Sequence, residues 1–335
     1  MSIAFVTGGT GFLGRRLVEK LVELGWSVRA LHRSPEDAER LRALGAEPVQ
    51  GDLDTEPALR RGMLGADVVF HSAALFTMWA PHADFEHANV DGTRNLLAAA
   101  QAEKVKHFVQ IGASGVFMGD PKPMNAVTED APLAYPPWAP YLASKARAQD
   151  LVLHADEPGG MRTAVILPSL IWGPHMPMLE GVVNDFAAGR FAWPAGGKQV
   201  MSTSYVDNVC HCAILAAEHS PGGRAYLVAD GEDRTLREII GQLVATRGVE
   251  AKARDVPAGL AWFLAGLMEA VWRSLRLRGA PLLTRQQVRM VGYPFTLSDQ
   301  RARTELGYAP VVTWQQGIEA MKASNVPGNL DRSNG

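Results

Sequence analysis

Short apolar runs alternate with longer stretches whose apolar positions recur every three or four residues, and this alternation holds to about residue 172. The first run, Ile3-Ala4-Phe5-Val6, predicts a strand. Behind it Phe12, Leu13, Leu17, Val18, Leu21, Val22 and Leu24 keep helical spacing up to Gly25, which suits a helix stop. Further strands are predicted over residues 26–31, 48–50, 67–71, 107–111 and 161–167. Helices are predicted between them over residues 56–64 and 84–102, and over a stretch opened by Tyr141 and running to about residue 153. One more helix starts at Val206, and one more strand covers residues 225–229. Strand and helix in strict alternation predict an α/β protein built on a doubly wound, Rossmann-type parallel sheet.

Two stretches break the rhythm. Residues 119–140 are polar and Pro-rich and read as a structureless loop, a length usually kept for a lid or binding loop. Beyond Trp172 the alternation gives way mainly to helices, which predicts a smaller C-terminal substrate lobe. The boundaries place residues 1–172 and about 202–230 in the nucleotide-binding domain. About 173–201 and 231–327 fall in the lobe, and 328–335 read as a frayed end. The lobe is apolar: Trp172, Met176, Met178, Phe186, Phe191 and Trp193 surround its first segment. Later, Leu260, Phe263, Leu264, Leu267, Met268, Val271, Trp272 and Leu275 repeat along one helix face. The simpler expectation is a core-facing stripe. The alternative is a lid or interfacial surface admitting a lipid-like molecule. The run is interrupted by Glu269 and falls short of the roughly 20 residues that span a bilayer. Peripheral membrane contact stays open, with Arg273, Arg276 and Arg278 just beyond.

The first predicted turn carries chemistry. Gly8, Gly11 and Gly14, within Thr7-Gly8-Gly9-Thr10-Gly11-Phe12-Leu13-Gly14, are a close variant of the dinucleotide fingerprint. Such glycines make the tight turn, let backbone approach a pyrophosphate, and let helix pack on strand. The helix start then offers free N–H groups to phosphate. At the end of the second strand stands Arg33, where NAD-selective folds usually carry a carboxylate, so NADP(H) is expected ahead of NAD(H). The alternative for Arg33 is a solvated surface charge. Tyr141 and Lys145 are four residues apart and share a helix face. A tyrosine of ordinary pKa, about 10, is a poor acid–base group at neutral pH. A neighbouring ammonium and an oxidised nicotinamide both lower it, making a proton donor for a carbonyl that receives hydride. His71 is read as a packed strand-end residue.

A net charge of -2 argues against a nucleic-acid partner. Cys210 and Cys212, two apart on a helix, suit neither a disulfide nor a shared metal. The first strand begins at Ile3 with no signal peptide ahead of it, which gives the expectation of a cytoplasmic protein.

The glycine turn followed by Tyr141-x-x-x-Lys145 resembles the short-chain dehydrogenase/reductase superfamily in its extended branch. Asp52-Leu53, Ala73-Ala74, Asn89-Val90-Asp91-Gly92-Thr93, Pro168 to Pro174, Ser204 to Val209 and Leu306-Gly307-Tyr308 extend the resemblance over most of the chain. Met268-Glu269, Pro281-Leu282-Leu283-Thr284 and the C-terminal half are most similar to the 3β-hydroxysteroid dehydrogenase group and to 2-alkyl-3-oxoalkanoate reductases. The resemblance implies Tyr141 as proton donor or acceptor and Lys145 on the nicotinamide ribose. It gives Gly8, Gly11, Phe12, Leu13 and Gly14 the pyrophosphate, Arg33 the 2′-phosphate, and Asp52 and Leu53 the adenine. Ala73 and Ala74 line the path to the nicotinamide, and Pro168 closes over it. One departure stands out: counting back from Val116 puts Ala113 where the family keeps Ser or Thr, with Ser114 one position late. Either the loop shifts so that Ser114 serves, or the third catalytic group is missing or replaced. The implied activity is ketone–alcohol interconversion on a small but bulky hydrophobic substrate, a sterol or a long-chain 3-oxo acid. A nucleotide-sugar epimerase or dehydratase and a non-catalytic NADP(H) sensor are the alternatives, and a homodimer stays open.

Overall fold

Seven apolar runs form one sheet in the computed structural model, which describes residues 2–325; the predicted frayed end lies outside them. In chain order its strands are β1 (Ile3–Thr7), β2 (Ser27–His32), β3 (Glu47–Gln50), β4 (Val68–His71), β5 (His107–Ile111), β6 (Arg162–Pro168) and β7 (Arg224–Val228). All neighbours run parallel, in the order β7-β6-β5-β4-β1-β2-β3. Ala4, Val6 and Phe70 join the core on one face, with Leu17 and Leu21 of the Phe12–Glu23 helix. Phe5, Val69 and Phe108 join the core on the other, with Leu96 and Leu142. Burial on both faces is why these strands read as continuous apolar runs rather than alternating ones. Strand order reverses between β1 and β4, and ligands of such sheets bind outside the C-terminal strand ends at that point.

The helix predicted over residues 84–102 is built in three pieces. A short turn, His82–Phe85, passes through a π-helical turn, Glu86–Asp91, into Gly92–Ala102. Residues 119–140 are not structureless as expected. Met124–Val127 is a strand paired in parallel with Phe295–Leu297, in a four-stranded sheet completed by Val200–Met201 and Arg234–Thr235. Two further pairs, Leu170–Trp172 with Thr203–Tyr205 and Ala192–Pro194 with Arg254–Val256, also escaped the apolar pattern.

The lobe corrects two expectations about its apolar residues. Trp172, Met176, Phe186 and Trp193 do not face a substrate space; all are buried in the main core, with Trp172 against Tyr205 and Trp314. The Trp172 indole donates to Asp230 at 2.7 Å, and Asp230 also accepts from the Thr203 hydroxyl, the Tyr205 amide and the Asn208 amide group. That carboxylate ties the Leu170–Trp172 and Thr203–Tyr205 strands to the end of β7. Conversely, the stripe expected to face the core points outward. On the Ala258–Ser274 helix the buried residues are Ala261, Ala265 and Glu269, while Leu260, Phe263, Leu264, Leu267, Val271 and the following Leu275 are exposed. The orientation is fixed by Glu269, which accepts from the Arg285 backbone at 2.7 Å and its guanidinium at 2.8 Å. Breaking such a buried pair costs about 3–5 kcal/mol, which adds to the packing of Ala261, Ala265 and half-buried Trp262 in setting the rotation of the helix.

Candidate active site

β1 ends in the glycine turn, and the packing there requires glycine. Gly8 has φ +73°, and a Cβ on it would lie 2.7 Å from the Ala73 nitrogen. A Cβ on Gly14 would lie 2.0 Å from the Gly8 carbonyl oxygen, while one on Gly11 would have 3.3 Å. The Gly11 amide donates to that same carbonyl at 3.0 Å, closing the turn. Gly11 is the N-cap of the Phe12–Glu23 helix and no side chain caps it. The first amides of a helix have no intrahelical partner, so those of Phe12 and Leu13 are left for a ligand. A side-chain-free cradle beside an uncapped helix start fits a dinucleotide pyrophosphate.

The remaining predicted residues gather along the same sheet edge. Arg33 is exposed one residue beyond β2. Asp52, beyond β3, accepts from the Thr55 hydroxyl at 2.5 Å, a bond that holds its carboxyl below the ordinary range. Leu53 packs on Gly92, where a Cβ would come within 2.7 Å of it, and its carbonyl accepts from Asn95 at 3.1 Å. Ala73 backs onto Gly8, and Ala74 beside it is exposed. Pro168 is the buried last residue of β6, paired with Val228. Beyond β5, Ala113 is extended and offers only a methyl group, while Ser114 opens the turn Ser114–Phe117 and is buried.

Tyr141 lies in the first turn and Lys145 in the second of the Pro140–His154 helix, both buried. The phenol ring sits edge-on to Phe76 at 5.1 Å and to Phe85 at 6.2 Å. Lys145 donates to the Ile111 carbonyl at the end of β5, at 2.8 Å. The electrostatics differ from the expectation that the ammonium would lower the phenol. Burial against two aromatic rings pushes Tyr141 up, and no opposing influence of Lys145 accompanies it. Burial also pushes Lys145 down, to about 8. The ammonium is directed at a backbone carbonyl and is itself short of water, so desolvation decides both groups. The chain alone therefore holds Tyr141 as a protonated phenol, a donor rather than a base.

A buried hydrogen-bond chain, which the sequence did not reveal, joins the glycine turn to the Tyr141 helix. Thr7 Oγ1 lies 2.7 Å from His71 Nδ1, and His71 Nε2 lies 2.9 Å from Thr93 Oγ1. Thr93 donates its hydroxyl proton to the Asn89 carbonyl at 2.6 Å, so it accepts from Nε2–H, and Nδ1 accepts from Thr7. The ring is thereby a neutral, fixed tautomer; burial, followed by the charge of Lys145, pushes its pKa down to about 3. Asn89, placed by the π-helical turn, donates to Ser144 Oγ at 2.9 Å and receives the Leu75 amide at 2.7 Å. The one available signal was Asn89 beside Val90, at a position flanked by the apolar residues Phe85, Leu96 and Leu97 of the same predicted helix.

Arg289 was also missed. Its guanidinium is fully buried with no carboxylate partner among the described residues, touching the Gly119 carbonyl at 3.3 Å and Met124 sulfur at 3.1 Å. Its Nη1, and Oε1 of buried Gln286 one turn earlier, have no partner among the described residues. Gln286 contacts Met78, two residues from the Phe76 that flanks Tyr141. Burial pushes Arg289 down to about 10.

Residues 4–229 match the NAD dependent epimerase/dehydratase family. The chain is 42% identical over 325 residues to a 4-hydroxy-2-methyl-3-oxo-4-farnesyl-3,4-dihydroquinoline-1-oxide ketoreductase of Stigmatella aurantiaca, covering 97% of each chain. It is 33% identical over 329 residues to a 2-alkyl-3-oxoalkanoate reductase of Stenotrophomonas maltophilia, covering 96% of this chain and 98% of the relative. The crystal structure of gox2253 superposes with a TM-score of 0.78 at 27% identity, over 97% of this chain and 98% of that one. With the glycine cradle and the seven-stranded sheet, these matches establish that the chain belongs to the NAD dependent epimerase/dehydratase family and is an NAD(P)-dependent oxidoreductase.

Proposed function

We propose that this protein interconverts a ketone and a secondary alcohol on a bulky hydrophobic substrate, uses NADP(H), and takes a long-chain 3-oxo acid as its best-fitting substrate class. The observation that carries the reading is Tyr141, buried against Phe76 and Phe85 on a helix that the hydrogen bonds through His71, Thr93, Asn89 and Ser144 tie to the glycine turn. The bound nicotinamide would supply hydride to the carbonyl carbon. Tyr141 donates the proton that the carbonyl oxygen needs, and Phe76 and Phe85 keep water from its ring. Ser114, the only hydroxyl in the turn after β5, supplies that oxygen's second hydrogen bond. Lys145, which donates to the Ile111 carbonyl in the free chain, takes the nicotinamide ribose in this reading. The relatives named as a ketoreductase and as a reductase of 2-alkyl-3-oxoalkanoates support the reaction class.

Arg33 supports NADP(H). A guanidinium–phosphate contact contributes about 1.5–3 kcal/mol. Arg33→Asp is therefore expected to cut the preference for NADPH over NADH by about 10–100-fold in kcat/KM. An unchanged preference would make Arg33 a solvated surface charge.

Arg289 supports an acidic substrate over a neutral sterol. A buried cation with one unpartnered nitrogen, in the roof beside the Phe76 loop, suits a single carboxylate. Arg289→Met, which keeps the volume, is expected to raise KM for a long-chain 3-oxo acid by about 10–100-fold and leave the matching methyl ketone unaffected. Without substrate the same variant should melt higher, because replacing buried charge by apolar side chains is neutral or stabilising by about 1–4 kcal/mol. Equal effects on acid and methyl ketone would remove the carboxylate from the proposal.

The epimerase reading has less support. A sugar nucleotide needs cations for its pyrophosphate, and of Arg190, Lys198 and Arg224 beyond Trp172, Arg190 is bonded twice to Asp185 and Arg224 lies 3.8 Å from Glu305. Oxidation of NADPH by a 3-oxo acid, beside NMR detection of UDP- and dTDP-sugar binding, separates the two. Sugar-nucleotide turnover without ketone reduction would favour the epimerase.

A further inference from the structure

We propose that the outward face of the Ala258–Ser274 helix seats this protein on an anionic lipid bilayer. The helix reverses the usual arrangement, with two alanines and a paired glutamate fully buried, Trp262, Met268 and Trp272 half-buried, and Leu260, Phe263, Leu264, Leu267 and Val271 outward. Phe263 is 67% and Leu267 54% exposed, and Leu260, Leu264, Val271 and Leu275 continue the face. A contiguous apolar patch of this kind marks an interaction surface, unlike single scattered residues. No helix among the described residues is long and apolar enough to cross a membrane, so the geometry is that of a helix lying in the interface.

Charge selects the occupant. Between residues 258 and 282 the charged side chains are Glu269, Arg273, Arg276 and Arg278, and Glu269 is buried against Arg285. The exposed charge within this segment is therefore wholly cationic. A second copy pairing segment to segment would set arginines against arginines. A bilayer satisfies both halves: its acyl boundary takes Phe263 and Leu267, and its anionic headgroups take Arg276 and Arg278.

The same helix roofs the Tyr141 site. Trp262 meets Trp138 edge-on at 4.8 Å, just ahead of the Pro140–His154 helix. Arg273 stacks over Trp79 at 5.1 Å, in the loop that carries Phe76 to Tyr141. Docking thus sets the roof at the membrane, where an oily substrate is dissolved. That route rests on the ketoreductase reading; the docking itself does not.

Co-sedimentation of the full chain with vesicles tests the proposal, using phosphatidylcholine alone and phosphatidylcholine with phosphatidylglycerol, beside light scattering for oligomeric state. Wild type is expected to bind the anionic vesicles at least about tenfold more tightly than the neutral ones. Phe263→Glu with Leu267→Glu should weaken that binding more than about tenfold, and Arg276→Glu with Arg278→Glu should bring it down to the neutral-vesicle value. Circular dichroism and NADPH binding should be those of wild type in both variants. Equal indifference of wild type to the two vesicles would overturn the proposal. So would wild-type vesicle binding by the Phe263/Leu267 variant, or a vesicle-indifferent dimer that this variant splits. Sedimentation decides the docking even where no ketone is turned over, so the two readings fail separately.

Discussion

Tyr141→Phe is expected to lower kcat by about 10²–10⁴-fold, the range for a positioned general acid. The ring should remain between Phe76 and Phe85, since only the hydroxyl is removed and that group has no hydrogen-bond partner among the described residues. Stability should therefore change little, and NADPH binding, followed by nicotinamide fluorescence, should match wild type. Steady-state kinetics beside that titration distinguish an enzyme from a sensor. A sensor would bind NADPH and show no dependence on the hydroxyl.

Gly14→Ala should have the largest effect on cofactor binding. The added methyl carbon would meet the Gly8 carbonyl oxygen at 2.0 Å and the Ser72 hydroxyl at 2.7 Å, so the turn must open. Overpacking of this kind costs about 1–3 kcal/mol. The turn is also the phosphate cradle, so affinity for NADPH should fall more than about 100-fold, by loss of several backbone hydrogen bonds to charged oxygens. Gly181→Ala is the internal comparison. It lies in the Leu179–Ala187 helix with nothing within 4 Å of an added Cβ. There alanine should stabilise by up to about 1 kcal/mol and leave cofactor affinity alone. Calorimetry and fluorescence titration of the two variants together check both expectations.

The sheet was legible because every central strand is buried on both faces, leaving an unbroken apolar run such as Ala4-Phe5-Val6. The glycine turn was legible because its spacing is a steric demand, which Gly8 and Gly14 display directly. The lobe's small strands were not. Val200–Met201 and Arg234–Thr235 are too short to carry a period, and each is held by a partner distant in sequence. The stripe from Leu260 to Leu275 shows why periodicity alone falls short. It establishes that one face differs from the other but not which faces the core. Glu269, read only as an interruption of a membrane span, was the residue that decided it through Arg285. Trp172 and Trp193 were read as surrounding the first segment of the substrate lobe, yet both fill the core. The acid–base pair was legible as a spacing, while its electrostatics were not. Burial of Tyr141 and the turn of Lys145 toward Ile111 come from packing that four-residue spacing does not specify.

Transfer of isotope from NADPH deuterated at the transferring C4 position tests the central claim most directly, with a long-chain 3-oxo acid as acceptor and wild type beside Tyr141→Phe. The expected result is a 3-hydroxy acid carrying one deuterium on its carbinol carbon, formed at a rate that collapses when the hydroxyl of residue 141 is removed. Product without deuterium, or deuterated product formed equally fast by the variant, would contradict it.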